Sequence, residues 1–168
     1  MSKHKQVEIA VIGAGPGGYA AAFRASDLGK NVVLIDRDSS LGGVCLNRGC
    51  IPSKALLHIS KVMDEAQALS KMGVTYNKPK VDLAAVREHK NRIVNQLSGG
   101  IAKMAKARKV ETVEGVAEFK SNNELIVKTK DGLITVGFKK CIIASGSSSS
   151  MIPGILPNHP SILTSKTA

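Results

Sequence analysis

The chain has 168 residues, 43% of them apolar, with 16 Gly, 6 Pro and 22% charged residues; this suits one domain of ordinary size and is neither collagenous, low-complexity nor disordered in composition. No apolar run approaches the roughly 18 residues that suggest a membrane span, and three cysteines are too few for a disulfide scaffold. The net charge of +11 is uneven, with 11 basic and 4 acidic groups in residues 61–110; that balance raises nucleic acid, but five aromatics and no Trp leave little to stack on bases, so the excess reads as a solvated helical face.

The first six residues lead directly into an apolar strand rather than into a signal peptide, and a reducing cytoplasm is the expected compartment. Residues 7–12 are β-branched, Gly13-Ala14-Gly15-Pro16-Gly17-Gly18 interrupts them, and the Ala-rich residues 19–28 suit a helix with Gly29 as its C-terminal cap. Residues 32–35 form a second apolar run. Strand, turn, helix and strand within about 30 residues predict a βαβ unit with parallel strands and a right-handed crossover.

Gly13, Gly15 and Gly18 fit G-x-G-x-x-G between that strand and helix, with Gly17 inside the turn. In such a motif the first Gly permits the tight turn, the second lets backbone approach a pyrophosphate, and the third lets helix and strand pack closely. The helix N-terminus then offers free N–H groups and a positive dipole end. Asp36 closes the second strand, where a carboxylate accepts a ribose hydroxyl, and Arg37 follows it. Alone the pattern is weak; with this strand, helix and acid around it, it predicts a dinucleotide site.

Residues 41–54 hold Gly42, Gly43, Cys45, Gly49, Cys50, Pro52 and Lys54. Two cysteines five apart on an ideal helix have Cα atoms roughly 8 to 9 Å apart, beyond the roughly 7 Å that a disulfide tolerates, so the turn between them must be distorted, and Gly49 helps. A pair at a helix start gains thiolate character. The spacing is a poor zinc signal, since neither His58 nor Cys141 completes a usual set, and no metal site is expected. By burial statistics the pair reads equally well as two core cysteines; its place after a dinucleotide unit points to redox chemistry instead.

Pro52 is expected to open a helix with Leu56, Ile59, Met63, Ala66 and Leu69 on one face, ended by Gly73. Asp82 should cap a longer helix carrying much of the basic excess, which Gly99-Gly100 weakens. Period-two texture then predicts antiparallel strands at 113–119, 124–130 and 133–138, with a hairpin at Asp131-Gly132. A buried parallel strand is expected from Lys140 to Ala144, ending in Ser145-Gly146-Ser147.

On these residues the chain resembles the flavin disulfide oxidoreductases, and within them the dihydrolipoyl dehydrogenases. The similarity runs from the Gly motif through the Cys segment, Ala55-Leu56-Leu57-His58 and Asn95 to Gly100 into the hairpin. It implies an α/β fold: a Rossmann-type FAD-binding domain with a parallel sheet and a three-stranded antiparallel crossover. It implies FAD as cofactor and NAD as co-substrate, with Cys45 and Cys50 as a redox-active disulfide, Cys45 exchanging with dihydrolipoamide and Cys50 contacting the flavin. Lys54 matches a lysine on the flavin N5 side, Gly42 and Gly43 a backbone approach to the cofactor, Ala117 an adenine contact, and Ser145 with Gly146 a strand-end turn. Asp36 stands where the family commonly has Glu.

The partners implied are dihydrolipoamide or the lipoyl domain of a 2-oxoacid dehydrogenase complex, and a second copy in a homodimer. The family is much longer than this chain. Residues 1–147 are therefore expected to be an N-terminal segment of the FAD-binding domain, with 113–138 as its crossover, and 148–168 an irregular tail leading toward an NAD-binding domain. Such a truncated chain is expected not to turn over by itself. Glutathione and mercuric reductases share the Cys spacing, although the former usually carry Lys at the position of Ser53; a non-catalytic nucleotide-binding protein is the rival of another class.

Overall fold

A computed structural model describes residues 3–150 together with 152, 154, 159 and 162; most of the expected tail 148–168 lies outside the described residues. The central strand, β1 (Lys3–Ile12), is followed by α1 (Pro16–Asp27) and β2 (Val32–Asp36). Then come α2 (Gly43–Arg48), α3 (Cys50–Ala68), one 3-10 turn (Leu69–Met72) and α4 (Leu83–Ala107). The chain closes with β3 (Glu111–Glu114), β4 (Val116–Ser121), β5 (Glu124–Thr129) and β6 (Gly132–Ile143). All six strands form one sheet in the order β3-β2-β1-β6-β5-β4. As the βαβ unit requires, β1 pairs parallel with β2, and also with β6.

Alternation along the strands divides the core in two. Val32 and Leu34 of β2 face the helices, packing with Ala22 and Phe23 of α1 and Ile101 and Ala105 of α4. Val33 and Ile35 face the other way and pack with Leu125, Val127, Val136 and Phe138. Because Gly115 alone separates β3 from β4, the two edge strands of the sheet, the sheet curls until the antiparallel strands cover the second face. The Gly115 N–H, donating to Asp36 O at 2.7 Å, fastens that corner to the end of β2.

Several expected boundaries move. The strand expected at 113–119 is two strands: Glu111–Glu114 pairs parallel with β2, and only after Gly115 does antiparallel pairing begin. The strands expected at 133–138 and 140–144 are one. β6 pairs with β5 as far as Gly137 and with β1 as far as Ile143, so Lys139-Lys140 marks the end of one partner rather than of the strand. The hairpin loop is Lys130-Asp131, with Gly132 already paired to Thr129 and the Thr129 hydroxyl donating to Gly132 O at 2.8 Å. Helix α3 begins at Cys50, so Pro52 is its third residue; Pro tolerates the first turn, where its missing N–H has no helical partner. Asp82 caps α4 as expected, its carboxylate accepting from Ala84 N at 2.9 Å and Ala85 N at 3.1 Å.

Candidate functional site

The Gly turn is a close junction of β1, α1 and β6. A Cβ on Gly18 would sit 1.7 Å from Gly13 O, and one on Gly13 2.1 Å from Ala144 O. These two glycines let α1 start against the strand ends. Gly15 differs: a Cβ there would meet only Gly43 Cα, at 3.9 Å, and would project into the cavity the turn lines. On the other wall, a Cβ on Gly43 would lie 2.5 Å from Gly15 Cα. The backbone of the α2 segment is thus pressed onto the turn, and Gly42 N donating to Ala14 O at 2.9 Å holds it there.

The cavity is about 320 Å³, within the usual range for a small-molecule site. It brings together nine residues singled out in the sequence: Gly13, Gly15, Asp36, Arg37, Gly43, Cys45, Ala117, Ser145 and Gly146. Asp36 is half-buried, with one carboxylate oxygen accepting from Ala14 N at 2.5 Å and the other from Asp38 N at 2.8 Å. Each oxygen keeps a lone pair for a hydroxyl. No acidic side chain occupies the first turn of α1, so the N-terminal N–H groups and the dipole stay available to an anion. A cradle of bare backbone, a helix N-terminus and an acid at the next strand end fit an adenine dinucleotide. Gly17, Gly18, Gly42, Cys50 and Lys54 do not line this cavity.

Cys45 lies on α2 and Cys50 opens α3, with Gly49 at φ −132° and ψ −109° breaking the helix between them. This is the distortion the spacing required, and it sets the two free thiols side by side. A hydrogen bond with the Cys50 thiol, then desolvation and the like charge of Cys50, push the Cys45 thiol up, against the Cys50 backbone N–H and the Lys54 charge. Thiolate character is therefore not what Cys45 has in the dithiol state, because the neighbouring sulfur outweighs the Cys50 backbone N–H and the Lys54 charge. Cys50 is exposed, Cys45 half-buried, and Lys54 exposed one turn along α3. Cys141 stands apart on β6 opposite Ala10, and burial alone pushes its thiol up.

Two further residues shape the site. The Asn47 amide donates to Gly43 O at 3.1 Å and to Ser40 O and Leu41 O at 3.4 Å, while its oxygen accepts from the Ser40 hydroxyl. Arg48, on the cavity wall, is paired with Asp38 at 2.5 Å. Together they tie α2, and with it Cys45, to the loop after β2. Their position between the two cysteines was the available signal, but a polar residue in a turn is no sign of its partner. Among the described residues no cluster of three or more His, Cys, Asp and Glu is placed to hold a metal ion, and no helix is long and apolar enough to cross a membrane.

A sequence profile for the pyridine nucleotide-disulphide oxidoreductases matches residues 7–168. The chain is 48% identical over 168 residues to the dihydrolipoyl dehydrogenase of Vibrio cholerae serotype O1, covering 100% of this chain and 35% of that protein. The dihydrolipoyl dehydrogenase of Haemophilus influenzae is 48% identical over 169 residues, with the same shares. The chain thus spans about a third of the length of these curated relatives. Among solved structures, the Cu(II) complex of the HOCl-induced flavoprotein disulfide reductase RclA from Escherichia coli superposes with a TM-score of 0.73 at 26% identity, over 91% of this chain and 31% of that one.

Proposed function

The chain belongs to the pyridine nucleotide-disulphide oxidoreductase family, and from that premise we propose that it serves a cytoplasmic dihydrolipoyl dehydrogenase, holding FAD at the Gly turn and exchanging electrons with dihydrolipoamide at Cys45 and Cys50. Its partner in this reading is a lipoyl group of a 2-oxoacid dehydrogenase complex, and the working enzyme is a homodimer. When bound, FAD supplies a two-electron acceptor that NAD reoxidises.

The chain's own residues supply binding and thiol exchange. The Gly13 to Gly18 backbone and the α1 N-terminus receive the pyrophosphate, Asp36 a ribose hydroxyl, and Ala117 the adenine end; Arg37, Gly43, Ser145 and Gly146 complete the walls, and Gly42 ties α2 to the turn from behind them. Lys54 places a positive charge beside the thiol pair. In its disulfide form, a dihydrolipoamide thiolate attacks Cys45 Sγ, making a mixed disulfide and releasing the Cys50 thiolate. The second carrier thiol then attacks the carrier sulfur of that bond and releases Cys45, so two electrons and two protons pass to the pair. The observation that carries this reading is that Cys45 both touches Cys50 and lines the cavity of the Gly turn.

The test starts from the dithiol form. Incubated with oxidised lipoamide, the chain should reduce it stoichiometrically and yield a Cys45 to Cys50 bridge in a peptide map, with Cys141 still a thiol; Cys45→Ser should abolish the exchange. Three unreacted thiols would favour a nucleotide-binding protein without thiol chemistry, and a bridge to Cys141 would overturn the pairing.

A further inference from the structure

Among the described residues, the ion pair of Arg48 with Asp38 stands apart from the rest. Its side chains are 24% and 31% exposed, whereas in every other pair one partner is 45% exposed or more. Both members also line the cavity of the Gly turn, and their contact closes a polar ring around it. Ala14 N donates to one Asp36 oxygen and Asp38 N to the other. The Asp38 carboxylate holds Arg48, the last residue of α2, and Gly42 N, just before α2, donates back to Ala14 O. Cys45 stands on that helix about one turn before Arg48. Little else holds α2. Its six residues are too few for a stable isolated helix, glycines flank it at both ends with no side chain capping its start, and Leu46 is its one buried residue. Asn47 anchors it to the nearby Ser40 and Leu41 carbonyls, so Arg48 is the tether that reaches the acid end of the cavity.

We propose that Arg48 is a positioning residue for the thiol pair: held by Asp38, it fixes α2 so that Cys45 stays against Cys50, and thereby favours the disulfide over the dithiol. The role rests on the thiol exchange proposed above and adds a residue that sets its equilibrium. Two thiols bridge readily when each meets the other at high effective concentration, and that concentration falls when the element carrying one of them can move. Gly49 breaks the helix between the cysteines, and a glycine there leaves α2 free to swing unless something ties its end. The Arg48 charge acts through position, since the groups that shift the Cys45 thiol are Cys50 and Lys54. A solvated surface pair would contribute little because water screens it, but this one is largely enclosed. A phosphate ligand would carry a charge still to be matched, whereas Asp38 already engages this guanidinium.

The test equilibrates the chain with reduced and oxidised glutathione. In each conversion the glutathione disulfide bond breaks, the Cys45 to Cys50 bond forms, and the two thiol protons pass to two glutathiones. Acid-quenched peptide maps across a series of glutathione ratios give the equilibrium constant. Arg48→Met keeps the aliphatic stem and loses the charge; it should move that constant about fivefold toward the dithiol, the scale of one partly enclosed ion pair. Asp38→Ala should do the same, and the double variant no more than either, because each change removes the same contact. Arg48→Lys keeps a cation and should recover most of the native value. Circular dichroism checks that the variants are folded, and Asp38→Ala, a change in a loop, carries the test if Arg48→Met unfolds. A constant that ignores Arg48→Met, single shifts that add in the double variant, or Arg48→Lys as low as Arg48→Met would overturn the proposal. So would ADP binding weakened about tenfold by Arg48→Met while the constant stays put, which marks a phosphate ligand. Failure of the function itself looks different: the glutathione constant follows Arg48, which supports the positioning role, while the dithiol leaves oxidised lipoamide unreduced.

Discussion

A methyl group at position 18 and one at position 17 meet different surroundings. On Gly18 it would lie 1.7 Å from Gly13 O, whereas on Gly17 it would meet nothing closer than Ala144 Cβ at 3.9 Å. Gly18→Ala should therefore cost roughly 3 kcal/mol or more, since the clash is with backbone that cannot yield. Gly17→Ala should be neutral or stabilise by up to about 1 kcal/mol, as Ala replaces Gly within a helix. Urea unfolding of both variants tests the contrast. At the thiol pair, the contact that pushes Cys45 up is with Cys50. In the reduced chain, alkylation of Cys45 should require a pH above the ordinary thiol range, and Cys50→Ala should move that midpoint down. The sign follows from the acid form being the one favoured in the fold: its contribution to stability is complete below the unfolded thiol's pKa and is lost as pH rises through the folded value. Iodoacetamide kinetics against pH, read peptide by peptide, measures the shift.

Helices α1 and α4 end with the same hydrogen-bond pattern. Lys30 N donates to Ala25 O and Gly29 N to Ser26 O; Val110 N donates to Ala105 O and Lys109 N to Lys106 O. The residue that turns left-handed is Gly29 at φ 77° in the first and Lys109 at φ 58° in the second. A side chain in that region costs roughly 1 kcal/mol, so Lys109→Gly should stabilise the chain by about that amount and raise its melting temperature by roughly 2–4 °C. Thermal denaturation followed by circular dichroism checks it. Gly29 was legible in the sequence as a cap because glycine announces the conformation, and Lys109 was not. The same distinction runs through the fold. Asp82, the Gly turn and the β1-α1-β2 unit are written in residues whose local chemistry dictates the shape. The division of the strand at Gly115 and the continuity of β6 depend on which strand lies alongside, which local texture does not encode. At the site, Gly15, Asp36 and Cys45, which line one cavity, were readable because each belongs to a local motif, whereas the Arg48 pair with Asp38 and the Asn47 amide bonds exist only once the loop after β2 has folded against α2.

On the scale of the molecule, the sheet does the positioning. Three strand ends meet at the Gly turn: Ala144 N donates to Ile12 O and Gly13 N to Ile35 O, both at 2.7 Å, which places the ends of β1, β2 and β6 around one cavity, where ligands of open α/β sheets bind. α2 then closes one wall and brings Cys45 to it. The central claim is that this shared cavity is a dinucleotide site with a thiol on its wall. The most direct measurement is calorimetric titration of the chain with ADP and with FAD, for the native sequence and for Asp36→Ala and Gly15→Val. The account predicts one site for each ligand, weakened about tenfold or more by Asp36→Ala, which corresponds to roughly 1.4 kcal/mol, and abolished by Gly15→Val, whose side chain fills the space where backbone meets the pyrophosphate. Binding that is absent from the native chain, or that is indifferent to both substitutions, would contradict it.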